Sequence, residues 1–184
     1  MKRLLLITGD LATGKSTFSE ILSKRYDTIL FNKDSIKEVL GDSIGFSNRE
    51  ENLKLSAATT RLMTFIFAEF AKLDKNLILE SNFHKSELEQ IYEIAAAHQY
   101  QVLVLALYGE IPVLHKRYLN RMHHENRHPV HLSAPLDQYE DFKMYIEKAR
   151  NERIEGNIIS VNANDFSYQN DEELLSKIDM FMGE

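Results

Sequence analysis

The 184-residue chain reads as an α/β protein, a parallel sheet covered by helices on both faces. Three observations predict this. Short, nearly continuous apolar runs recur at Leu4–Thr8, Leu77–Leu79, Val102–Leu107 and Ile158–Val161, as expected of strands buried on both faces. Between them lie stretches whose apolar residues recur at three- or four-residue spacing, the period of a helix with one buried face. The two patterns alternate from end to end, the order that crossover connections between parallel strands require.

The first strand, Leu4–Thr8, stops at a Gly-rich turn. The next stretch, Lys15 to about Arg25, puts Phe18, Ile21 and Leu22 on one helix face. Thr28–Phe31 is the second strand, with Asp34 just beyond it. Ser35–Leu40 reads as a brief helix closed by Gly41. A long helix follows from about Arg49 to Leu73, with an expected buried stripe of Leu55, Ala58, Leu62, Phe65, Ile66, Phe70 and Leu73. The third strand, Leu77–Leu79, ends in Glu80, Ser81 and Asn82. Ser86 and Glu89 have capping-box spacing before Ile91, Tyr92 and Ala95. After the fourth strand, Val102–Leu107, Pro112 suits the first turn of another helix. Tyr139, Phe142 and Ile146 make a further helical stripe, read as core packing. Ile158–Val161 is the fifth strand and Leu174–Phe181 the last helix.

Composition sets outer limits on function. Hydrophobic residues at 43% and charged residues at 27% suit one globular domain over residues 1–184, and seven Gly and three Pro leave little for disordered linkers. A formal net charge of −6 disfavours nucleic acid as a partner, because backbone binding needs clustered cations. The absence of cysteine excludes disulfides, thiolate metal sites and a cysteine nucleophile. The apolar run after Met-Lys-Arg is too short for a signal-peptide core, and no stretch approaches the roughly 18 apolar residues of a membrane span. The expectation is a cytoplasmic protein without membrane contact.

The chemistry begins at Gly9-Asp10-Leu11-Ala12-Thr13-Gly14-Lys15-Ser16, which matches the Walker A pattern GxxxxGK[ST]. Its glycines let the backbone wrap a phosphate chain with N–H groups pointing inward, and the following helix adds its positive N-terminal end. Lys15 is placed to reach the β- and γ-phosphates, and the Ser16 hydroxyl to ligate Mg²⁺; Thr17 completes the expected nucleotide contacts. A predicted strand before the loop and an amphipathic helix after it supply the required context. ATP is the default nucleotide, because Asn32-Lys33-Asp34 lacks the spacing and position of a guanine-reading motif.

With this loop in this order of elements, the chain resembles the P-loop kinase group of small kinases that includes zeta-toxin-like, gluconate-kinase-like and polynucleotide-kinase-like enzymes. The resemblance runs over nearly the whole chain. It implies a three-layer P-loop NTPase fold with a five-stranded sheet in the order 2-3-1-4-5 and a small lid.

The acceptor side is read from the strand ends. Asp34 lies past the second strand, on the sheet edge that carries the phosphate loop. A carboxylate there can take the proton of an attacking hydroxyl and orient it, the role the resembled kinases give an Asp at this place. It is also a natural helix N-cap. Lys33 could hold an anionic substrate but reads first as a solvated lysine. Glu80, ending the third strand, can hold Mg²⁺ directly or through water, or contact substrate. Asn82 and His84 are placed to line the acceptor pocket, His84 at its edge.

Arg117 and Arg121 share a predicted helix face, and Arg127 follows in the irregular stretch His123–Pro135, read as a flap. Guanidinium groups closing over the site would stabilise charge on the moving phosphoryl group. The resembled kinases use lid arginines in this part of the chain, which makes Arg121 and Arg127 the leading catalytic candidates and Arg117 a substrate-binding one. Five of the seven histidines fall between His115 and His131, but without HExxH or cysteine they are read as lid or anion-binding groups, not a zinc site. The leading function is transfer of the ATP γ-phosphate to a small-molecule hydroxyl or phosphate acceptor. The alternatives are a nucleotide-dependent switch NTPase and a polynucleotide 5′-hydroxyl kinase. Asp34 argues against the first of these, since hydrolysis alone needs no acceptor base.

Overall fold

A computed structural model describes residues 2–124, 127–131, 136–152 and 154–183, with His124 described in its backbone only. The strands are β1 (Lys2–Gly9), β2 (Ile29–Asn32), β3 (Leu77–Glu80), β4 (Tyr100–Tyr108) and β5 (Ile158–Asn162). The helices are α1 (Lys15–Arg25), α2 (Lys33–Ile44), α3 (Arg49–Phe70), α4 (Lys85–Ala97), α5 (Ile111–His124), α6 (Tyr139–Arg150) and α7 (Glu172–Met182). Short 3-10 turns occupy Ala71–Leu73, Pro129–His131 and Ser167–Asn170.

The five strands form one parallel sheet in the order β2-β3-β1-β4-β5, as the resemblance implies. Alternation along β1 divides its side chains between two cores. Leu5 and Ile7 pack with Phe18 and Leu22 of α1 and Ile178 of α7. Leu4 and Leu6 pack on the other face with Met63 and Phe67 of α3 and Ile91 of α4. Each such fully buried side chain is worth about 1.5–3 kcal/mol relative to exposure, so the central strand is held from both faces. A third cluster, Leu114, Tyr118, Leu136, Phe142 and Ile146, joins α5 to α6. Phe142 and Ile146 are thus core, as their spacing predicts, while Tyr139 is partly exposed against His115.

Three local features depart from the sequence pattern. The brief helix runs on to Ile44, so Gly41 does not close it. Gly41 is buried where a Cβ would come within 2.4 Å of Val130 Cγ1; it is glycine for close packing, and Gly45 (φ 77°) ends the helix. The buried face of α3 is Asn52, Leu55, Thr59, Met63 and Phe67, so the stripe is rotated from the expected one, and Ala58, Leu62, Phe65 and Leu73 are exposed. Two inward residues are polar and escape a hydrophobic count: Asn52 donates to the Val130 carbonyl (3.0 Å) and Thr59 to that of Leu55 (2.7 Å). The box at the start of α4 pairs His84 with Glu87, whose carboxylate accepts the His84 N–H at 3.0 Å, and not Ser86 with Glu89.

Register positions the chemistry. Glu80 lies opposite Ile7 on one side and Asn32 on the other, and Gly9 lies opposite Leu107. The ends of β1, β2, β3 and β4 therefore meet at one sheet edge, where parallel α/β folds bind ligands.

Candidate active site

The phosphate loop is shaped by positive φ angles at Gly9 (121°), Ala12 (59°) and Gly14 (86°). A Cβ on Gly9 would lie 2.1 Å from the Leu107 carbonyl oxygen, so glycine is required for β1 and β4 to meet there. Gly14 is the N-cap of α1, packed under Phe166 and Tyr168, and the Tyr168 hydroxyl donates to the Thr13 carbonyl at 2.8 Å. Lys15 is buried, and its Nζ donates to the carbonyls of Asp10 (2.5 Å) and Gly9 (3.3 Å). Burial pushes its pKa below the usual lysine value, with Glu80 the strongest opposing charge.

Beside the loop, the Ser16 hydroxyl donates to Glu80 Oε2 at 3.2 Å, and Asn32 Nδ2 donates to the same oxygen. Glu80 is buried, and that burial raises its pKa, against the pull of Lys15 and the bonds from Ser16 and Asn32. A hydroxyl and a carboxylate converging next to a phosphate loop are hard oxygen donors, the set that suits Mg²⁺.

A cavity of about 1040 Å³ opens over this edge, lined by the loop from Leu11 to Thr17. Asp34, Glu80, Asn82, Arg117, Arg121 and Arg127 line it too, so the structure brings together almost every residue singled out from sequence. Gly9 and Asp10 are the exceptions; they form the root of the loop, and the Asp10 carboxylate turns away to Arg150. Asp34 is not an N-cap, because Asn32 caps α2 by accepting the Ser35 N–H at 2.9 Å. The Asp34 side chain is 62% exposed, with His131 Nδ1 at 4.0 Å. Asn82 Oδ1 is buried without a hydrogen-bond partner among the described residues, an unmet acceptor on the cavity wall.

Arg117 donates to the carbonyls of Ala163 (2.7 Å) and Asn164 (2.5 Å) and stacks 4.3 Å from the Phe166 ring centroid. Phe166 in turn packs against Gly14, and Arg117 lines the cavity. Lys33 is not a solvated lysine but pairs with Glu87 at 3.0 Å. His128 and His131 reach Asp42 (2.9 Å) and Glu38 (2.8 Å) on α2. The expected flap, His123–Pro135, falls partly outside the described residues.

The pattern of the zeta toxin family matches residues 1–173. The chain belongs to the zeta toxin family. Among solved structures, a candidate kinase from Chloroflexus aurantiacus J-10-fl is 25% identical, with 97% of each chain covered and a TM-score of 0.83. A gluconokinase from Sinorhizobium meliloti 1021 aligns at 14% identity over 98% of this chain and 91% of its own, with a TM-score of 0.62. Shikimate kinase from Bacteroides thetaiotaomicron aligns at 15% over 99% of each chain, with a TM-score of 0.61. The last two likenesses show a shared fold. No curated protein matches the chain by sequence. Among the described residues no helix is long and apolar enough to cross a membrane.

Several residues of this family member's site carried little sequence signal. Asn32 could have been found, as a polar residue ahead of a helix. Lys37 could not: it lies buried at the cavity wall, donating to Asn52 Oδ1 (2.7 Å) and the Val130 carbonyl (3.2 Å), contacts made by distant parts of the chain. Tyr145, Phe166 and Arg150 likewise reach the site only through packing.

Proposed function

We propose that this zeta toxin family member is an ATP- and magnesium-dependent phosphotransferase of the cytoplasm, moving the ATP γ-phosphate to a hydroxyl of a small molecule. One observation carries the reading: the phosphate loop and the Asp34 carboxylate line the same cavity, and the helix cap that would have occupied Asp34 is made by Asn32. The neighbours named gluconokinase and shikimate kinase, each named for a small acceptor, point the same way.

In this reading the acceptor hydroxyl lies against Asp34. Its oxygen forms a bond to the γ-phosphorus as the bond from that phosphorus to the β-bridging oxygen breaks, its proton passes to the Asp34 carboxylate, and ADP leaves. The Lys15 ammonium exchanges its carbonyl partners for phosphate oxygens. Ser16 and Glu80 would hold Mg²⁺, which supplies neutralisation of phosphate charge. Arg121 and Arg127 supply further positive charge over the transferred group, and Asn82 Oδ1 accepts from the acceptor. Arg117, stacked on Phe166 beside the loop, serves the nucleotide rather than the acceptor.

The deciding experiment follows ADP production and phosphate release with MgATP over nucleosides, sugars, aminoglycosides and other small alcohols. ADP formed in step with a phosphorylated acceptor is the expected result. Failure of every hydroxyl acceptor, with hydrolysis stimulated by a protein partner, would replace the kinase with a nucleotide switch.

Glu80 gives a pH test. Its pKa is raised by burial, so protonation, which removes a metal-ligating oxygen, sets in at a higher pH than for an ordinary carboxyl. Magnesium demand is expected to rise as pH falls through that range, and Glu80→Gln to raise the demand and flatten its pH dependence. The linkage has a second consequence. A carboxyl whose folded pKa lies above its unfolded value costs stability as pH rises from the unfolded to the folded value, and the full cost stands above both. Glu80→Gln is therefore expected to raise the melting temperature at neutral pH without nucleotide. Unchanged magnesium dependence would move Glu80 to a structural or acceptor-binding role.

A further inference from the structure

The phosphate loop contains a feature at odds with its chemistry. Asp10 places a carboxylate at the root of a loop built to attract a polyanion, and that side chain is only 2% exposed. A buried, uncompensated carboxylate is costly in itself, and in a low-dielectric setting its field reaches a triphosphate bound alongside. The structure supplies the compensation from a distant element. Arg150, the last residue of α6, pairs with both carboxylate oxygens: Nε to Oδ1 at 3.2 Å and Nη2 to Oδ2 at 2.5 Å. Its Nη2 also donates to the Gly109 carbonyl at 2.5 Å, while the Gly109 N–H donates to Asp10 Oδ2 at 3.2 Å. The four groups close a ring that ties the start of the loop to the end of β4 and to α6.

The same residue controls the loop's shape. The Asp10 N–H donates to Leu107 at 2.9 Å, and the Asp10 carbonyl receives the Thr13 hydroxyl at 2.9 Å and Lys15 Nζ. Fixing the Asp10 side chain thus fixes the backbone group on which Lys15 rests. A guanidinium suits this task, since it presents paired donors in a fixed plane, and its position at a helix C-terminus is favourable for a cation.

We propose that Arg150 is a positioning residue for nucleotide binding, cancelling the buried Asp10 carboxylate and anchoring the root of the phosphate loop so that the loop presents a positive field to a triphosphate. This rests on the nucleotide-binding reading above. It makes α6, which packs on α5 through Phe142 and Ile146, a brace between the helix carrying Arg117 and Arg121 and the phosphate loop.

The test is calorimetric binding of ATP, ADP and AMP to wild type, Arg150→Gln, Arg150→Lys and the double variant Asp10→Asn/Arg150→Gln. Arg150→Gln is expected to weaken ATP by about tenfold, the effect of one unscreened charge near a polyanion, with a smaller loss for ADP and the least for AMP. Arg150→Lys, which keeps charge but not the paired geometry, should fall between. The double variant should recover most of the ATP affinity, because the offending charge is gone. Rescue separates charge compensation from packing, which Asn and Gln cannot restore. If Arg150→Gln does not fold, a double variant that folds and binds ATP supports the inference. A double variant that fails to fold, or folds without recovered affinity, overturns it, as does an equal loss for all three nucleotides or no loss. Wild type without ATP affinity would instead overturn the nucleotide reading and this inference with it.

Discussion

Asp34→Asn is expected to slow transfer to the acceptor on the order of 10²–10⁴-fold, the usual worth of general acid–base help, while ATP binding is almost unchanged. The substitution keeps the side-chain shape and removes the proton acceptor. ATP binding should survive because the proposed phosphate site is the loop from Leu11 to Thr17, which lines the cavity, and not α2. The helix should survive because Asn32, not Asp34, is its cap. Asp34 does sit in the first turn of α2, so losing its charge costs about 0.3–1 kcal/mol of helix-dipole stabilisation. That loss is too small to account for a rate change of this size. A loose transition state, in which little proton transfer is needed early, would put the effect at the low end of the range. The measurement is a pair of rates, transfer and background ATP hydrolysis, in wild type and variant. Hydrolysis should fall less, since water needs no docking contact from Asp34. Equal losses in both rates would remove Asp34 from the acceptor side.

Lys15→Ala is expected to lower phosphoryl transfer by about 10²–10³-fold or more and to weaken ATP, because a cation at the transferred group is lost from a desolvated site. The protein should still fold. Lys15 is buried, but its hydrogen bonds to carbonyls are to neutral groups, and burial already disfavours its charge. Removing it relieves a desolvation cost but also takes a compensating charge from the buried Glu80 carboxylate, two effects that oppose each other, while the carbonyls of Gly9 and Asp10 turn to water admitted by the cavity. Thermal melting should therefore change little while calorimetry shows the loss of affinity. Wild-type protein without magnesium-dependent ATP affinity, or a variant with wild-type turnover, would remove the phosphate-binding role from the loop.

The sheet and the phosphate loop were legible because both are written in local patterns. The apolar runs at Leu4–Thr8 and Val102–Leu107 admit little but buried strands, and the spacing from Gly9 to Ser16 encodes its own backbone path. The strand order came from resemblance, since periodicity says nothing of which strand lies beside which. Asp34 and Glu80 could be placed by their distance from strand ends, and register then put Glu80 beside Asn32. The reading failed where polar residues face inward. Asn52 and Thr59 lie on the buried face of α3, away from its most apolar stripe; Asn52 is satisfied by the distant Val130 carbonyl and Thr59 by the Leu55 carbonyl one turn back in its own helix, so neither polar group is left unpaired by burial. Gly41 failed for a related reason: a glycine that signals a helix end locally is instead the space for Val130, far along the chain.

By itself, then, the sequence determined the α/β class, the phosphate loop and the set of charged residues gathered at one sheet edge. Local spacing decides these, because strand period, helix period and a glycine's φ are properties of neighbouring residues. Only the tertiary structure decided how those charges are used. It gave the cap of α2 to Asn32 and left Asp34 facing the cavity, turned Lys33 toward Glu87, and joined Asp10 to Arg150. A charge takes its role from whichever opposite charge or unmet hydrogen bond lies within a few ångströms after folding, and that neighbour comes from a part of the chain that sequence order keeps far away.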